Sequence, residues 1–124
     1  MVKSIIYFCL MAMVMLIGRP LSWATPPRDI KLSYDKEAQV LHIEAEHPSD
    51  RLERHYLRRL VIEQNGKEVK TVTFPRQVLA RGLRTDVELP AKGDDFMHVE
   101  LFCSQGGSGG ADITLPSDPN EIKP

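Results

Sequence analysis

The pair Asn65-Gly66 stands between two strand-like runs, HYLRRLVIEQ and KEVKTVTF, and constrains the fold more than any other feature. A two-residue connection of this kind closes a β-hairpin through a type I′ turn. Both central residues then take positive φ, a region open to glycine and tolerated by asparagine. The rest of the chain repeats the same period of two. DIKLSY (29–34) alternates, and AQVLHIEAE (38–46) places Leu41, Ile43 and Ala45 on one face and His42, Glu44 and Glu46 on the other. Successive side chains of a strand point to opposite faces, so this strand has one dry face and one wet one. LRTDVEL (83–89), FMHVELFC (96–103) and ADITL (111–115) follow the same pattern. Seven short strands separated by turn signals about every 8–12 residues predict an antiparallel β-sandwich of immunoglobulin type. One helical turn is expected at SDRLER, where Asp50 is placed to cap and Glu53 follows three residues later. The glycine-rich SQGGSGG after Cys103 reads as a flexible connection. The proline-rich PSDPNEIKP (116–124) reads as a disordered tail.

The first residues obey a different rule. In MVKSIIYFCLMAMVMLIG, Lys3 supplies a positive start and Ile5 to Gly18 an apolar run. Ser22 to Ala24 then gives a small-x-small cleavage pattern. The apolar run falls short of the roughly 20 residues that cross a bilayer, so residues 1–24 read as a cleaved signal peptide. The mature protein is then exported to the periplasm, with no membrane association after cleavage. What remains of the 124 residues is one small domain, 25–115, with its tail. Of the 16 lysines and arginines, Lys3 and Arg19 leave with the signal. The 14 that remain face 17 acids, a net charge of −3, which gives no electrostatic footprint for nucleic acid. Cys9 leaves as well, so Cys103 stands alone. In an oxidising compartment a lone cysteine is a buried hydrophobe, a metal ligand or a thiol awaiting a partner.

The four histidines are His42, His47, His55 and His98. His47 ends one predicted strand, His55 opens the next and Cys103 closes the sixth. All three therefore lie at strand ends, where the loops of a sandwich build sites. Imidazole with thiolate suits iron, copper or zinc. His42 and His98 fall within strands and read as surface or half-packed residues, held in reserve as further ligands. The basic run RLERHYLRR (51–59) reads as a solvated strand face.

These segments carry a resemblance. HIEAEHPSDRLERHYLRRLVIEQNGKEV resembles the centre of the desulfoferrodoxin, or superoxide reductase, iron domain, in which a strand ends in His-Pro, His-Tyr follows, and a strand reaches an Asn-Gly or Asp-Gly hairpin. VELFCSQGG resembles the closing Cys-x-x-His-Gly segment of that family. The likeness spans roughly residues 38–110 and implies an immunoglobulin-like sandwich. It also implies mononuclear iron, held by four histidine nitrogens and an axial cysteine sulfur, that reduces superoxide with electrons from a donor protein. His47 matches the His-Pro ligand, His55 the His-Tyr ligand and Cys103 the axial thiolate. Gly106 stands where the family carries a histidine, and no histidine between Thr25 and Val40 matches the family's first ligand. The chain thus retains three ligands of the set, and no catalytic residue is assigned.

Two other classes remain open. One is a non-catalytic periplasmic interaction module, similar to the carrier-binding subunit of thiosulfate oxidation, where a His-Pro turn and an Asn-Gly hairpin also occur. The other is a structural partner that recruits its target along an edge strand. A bound metal separates the first reading from both.

Overall fold

The computed structural model of the protein describes residues 25–120. The expected signal segment 1–24 and residues 121–124 lie outside them. The described residues are all-β, with seven strands and no helix: β1 (Arg28–Asp35), β2 (Val40–Glu46), β3 (Leu57–Gln64), β4 (Lys67–Thr73), β5 (Gly82–Glu88), β6 (Phe96–Cys103) and β7 (Ser108–Thr114). They form two antiparallel sheets, one ordered β1-β2-β5 and the other β4-β3-β6-β7.

The alternation seen in the sequence sets the inner faces. Leu41, Ile43 and Ala45 of β2 and Val87 of β5 share one core with Leu57, Leu60 and Ile62 of β3 and Met97, Val99 and Leu101 of β6. The two sheets therefore bury their apolar faces against each other in a sandwich-like arrangement. Asn65 and Gly66 have φ of 53° and 83°, the positive pair that a type I′ hairpin requires.

One irregularity lies at the entry to β3. The inward residues of that strand are Leu57, Leu60 and Ile62, so parity changes between Leu57 and Leu60. The ladder with β6 shows the cause. Leu57 pairs with Cys103 but Arg59 pairs with Phe102, a bulge centred on Arg58. A bulge inserts one residue and re-aims the chain on either side of it. Here it brings Leu57 inward at the start of the strand. Two positions before it stands His55.

Three loops meet at the end of the sheets where β2 stops and β3 begins. They are residues 47–56, 74–81 and 104–107. In the first, the expected helical turn is a single turn: the amide of His55 donates to the carbonyl of Arg51 at 2.7 Å. Ser49 caps this turn instead of Asp50, its Oγ accepting from the amide of Arg51 at 3.2 Å. Glu53 instead lies 3.7 Å from Arg76. The second loop is laced to the first by backbone bonds from His47 to Arg81, from Ser49 to Ala80 and from Gln77 to Leu52, at 2.7, 2.9 and 2.9 Å. In the third, the glycine run is shorter as a loop than the sequence suggests, because Ser108, Gly109 and Gly110 already belong to β7. A Cβ on Gly109 would lie 2.6 Å from the carbonyl oxygen of Pro27, and one on Gly110 would overlap the Glu100 carboxylate. These glycines allow close approach within a strand.

Candidate metal centre

His47, His55 and Cys103 come together at this end. One ligand atom from each, an imidazole nitrogen or the sulfur, lies within 4.8 Å of the others. Three points so spaced share a centre within about 2.8 Å of each, so contractions below about 1 Å would reach the metal bond lengths of roughly 2.0–2.3 Å. The rings of His47 and His55 meet edge to face, with centroids 4.7 Å apart and planes inclined at 72°. No other group of three or more His, Cys, Asp or Glu side chains among the described residues is arranged to hold a metal ion.

Each member is placed by its own element. His47 is the first residue beyond β2, continues that strand's inward alternation, and is fully buried. Its amide is tied to Arg81. His55 follows the turn capped by Ser49, ahead of the β3 bulge. Cys103 ends the inward series Met97, Val99, Leu101 and is 2% exposed. It is a free thiol. Ser104, the next residue, locks the β6 end against the β3 entry: its amide donates to the carbonyl of Tyr56, and its Oγ accepts from the amide of Tyr56 and donates to the carbonyl of Arg54.

The polar atoms of the cluster carry a clear signal. Among the described residues, the buried side-chain nitrogens without a hydrogen-bond partner are His47 Nε2, His55 Nε2 and Arg59 Nε. Buried polar groups are nearly always paired, and an unpaired one costs about 1–3 kcal/mol. Two of the three orphans belong to the histidines that converge on Cys103. Burial, followed by the adjacent His47, lowers the pKa of His55, while Asp50 opposes the shift. A neutral imidazole with a free lone pair is the form a metal ion requires.

Beneath His47 lies Gln77, 2% exposed, a residue that no sequence pattern marks. Its Oε1 accepts from the amide of Leu57 at 3.3 Å and faces His47 Nδ1 at 2.8 Å. Its Nε2 donates to the carbonyls of His47 and Leu79 at 2.8 and 2.7 Å.

The reserve histidines lie elsewhere. His42 Nδ1 is 2.6 Å from Asp86 on the outer face of the three-stranded sheet. His98 sits on the outer face of the four-stranded sheet, its two ring nitrogens taken by Asp112 at 2.5 Å and Glu100 at 2.9 Å. Neither joins the cluster. The basic run divides as well. Arg51, Arg54 and Arg58 are exposed, whereas Arg59 places its guanidinium 4.3 Å from the centroid of the Phe102 ring.

Comparison of the chain with models of protein families and with curated proteins returned no match.

Proposed function

We propose that this protein is an exported sandwich of immunoglobulin type that binds one transition-metal ion through His47, His55 and Cys103, with iron the expected metal. The observation that carries this reading is the pair of orphaned, buried Nε2 atoms on the two histidines that converge on a buried thiol. No group among the described residues hydrogen-bonds either atom, and a metal ion would satisfy both. The strand orders β1-β2-β5 and β4-β3-β6-β7 agree with an immunoglobulin-like connectivity. The desulfoferrodoxin resemblance favours iron on the same three residues.

The donor set fits a metal ion but not the full iron site of that family. The position that would carry a further histidine is Gly106, with φ of 98°. This region favours glycine, and Gly107 follows with φ of 84°. The turn after Cys103 is thus built for glycine. Superoxide reduction therefore stays outside the proposal, and no reaction step is derived. When bound, the metal would supply a thiolate-ligated centre able to take an additional small ligand. The chain's own residues lower the pKa of His55 by burial, keep the sulfur from solvent and fix the spacing of the three donors.

Elemental analysis of the protein purified from its exporting cells, followed by anaerobic titration with Fe(II) and Co(II), tests this reading. One metal per chain and a sulfur-to-metal charge-transfer band are expected. The band should vanish in Cys103→Ser and weaken in His47→Ala and His55→Ala. Failure of the wild-type protein to take up either ion would leave a non-catalytic interaction module.

A further inference from the structure

The hydrogen bonds of Gln77 determine more than the position of a loop. An amide side chain can be placed in two orientations, and the choice rests on its neighbours. Here three backbone groups decide it. Nε2 faces the carbonyls of His47 and Leu79, which only accept, and Oε1 faces the amide N–H of Leu57, which only donates. Reversing the amide would break all three bonds. With Oε1 fixed as an acceptor, its second partner, His47 Nδ1 at 2.8 Å, must carry a proton. In a neutral imidazole the other nitrogen is then the one with the lone pair, and that nitrogen is the buried, unpartnered Nε2.

We infer that Gln77 is a positioning residue that presets His47 for metal binding, holding it as the Nδ1–H tautomer with the Nε2 lone pair free beside His55 and Cys103. The inference rests on the metal-binding reading and deepens it. Metal-ligating histidines typically donate their second nitrogen to a carboxylate or carbonyl that fixes tautomer and ring orientation. Gln77 fills that place with a neutral amide. No charge is added to the buried cluster, and the same side chain ties the 74–81 loop to the His47 backbone.

The test compares the wild-type protein with Gln77→Leu and Gln77→Glu. Long-range proton–nitrogen correlation spectra of the metal-free, ¹⁵N-histidine-labelled protein near neutral pH read the tautomer directly, without any metal. Cobalt(II) titration reads affinity separately. In the wild type, His47 should appear as the Nδ1–H form. Gln77→Leu should lose that preference and bind Co(II) about 10- to 100-fold more weakly, the usual cost of removing such a partner. Gln77→Glu keeps an acceptor for Nδ1–H but loses both donated bonds. It should retain the tautomer and most of the affinity while melting at a lower temperature.

A residue that merely tied the loop would predict equal loss of affinity in both variants, and that result overturns the inference. So does an Nε2–H tautomer in the wild-type protein, a measurement that needs no variant to fold. If Co(II) binds the wild type and Gln77→Leu changes neither tautomer nor affinity, Gln77 alone fails. If the wild type takes up no Co(II), the metal-binding reading fails and takes this role with it.

Discussion

Cys103 holds its thiol in near-complete enclosure, with 2% of its surface exposed. Thiolates react with reagents only when they can be reached. Labelling of the native, metal-free protein by a disulfide reagent should therefore run more than about 100-fold slower than in urea, since opening a core strand costs several kcal/mol. Labelling at the unfolded rate would show the sulfur to be accessible and the strand end frayed. At this scale the sequence is informative about chemistry and silent about support. His47, His55 and Cys103 are recognisable because few side chains bind metals and all three stand at strand ends. Gln77 is not, because a glutamine in the segment PRQVLARG has no signature. Its partner His47 lies 30 positions away, a contact that exists only once two loops are packed together.

Between elements, the start of β5 comes close to the end of β2 at Gly82. A Cβ there would overlap the carbonyl oxygen of Ala45 and lie 2.9 Å from the amide nitrogen of His47, both backbone atoms with no room to turn aside. Gly82→Ala should lower stability by about 1–3 kcal/mol, the range for overpacking, as read from the urea midpoint. Because Arg81 holds the His47 amide, metal affinity should fall with it. Gly66→Ala is the matched control. Its Cβ would meet nothing within 4 Å, so it should cost only the roughly 1–2 kcal/mol of a left-handed backbone and leave metal binding intact. Equal effects on metal binding would mean that the contact at Gly82 is not what places His47. Strand positions followed from alternation wherever it was strict, as in β2 and β6. The start of β7 did not, since Ser108, Gly109 and Gly110 carry little strand propensity, and the two glycines fit the space left beside Pro27, His98 and Glu100. Likewise the two arginines between Leu57 and Leu60 hold a bulge that period-two reading alone passes over.

For the whole molecule, His98 outside the cluster and His55 inside it set opposite pH limits. His98 lies between carboxylates: Asp112 on β7, Glu100 two residues along β6, and Glu63 opposite on β3. The hydrogen bond to Asp112, chiefly, raises its pKa above 6.5 against the opposing effect of burial, and Glu100 adds to the rise. Its contribution to stability is therefore complete below pH 6.5 and is lost as pH rises through the folded-state value. His55, lowered by burial, works in reverse. It stabilises above pH 6.5, and that contribution is lost as pH falls through its folded-state value. The metal-free protein should thus show a stability maximum near neutral pH in urea titrations, with the alkaline decline removed in His98→Gln. An unchanged alkaline slope in that variant would place its origin elsewhere.

The bonds between Tyr56 and Ser104 join residues 48 positions apart, and this separation bears on how the molecule comes to exist as well as on what it holds. The β1–β2, β3–β4 and β6–β7 pairs are local and can form early, but the β2–β5 and β3–β6 ladders must each close a long loop before any of their contacts stabilise them. His55 and Cys103 meet only when the β3–β6 ladder has formed. During refolding, the charge-transfer band should appear with the slow phase in which the non-local ladders form and never precede it, making ion capture a clock for long-range assembly.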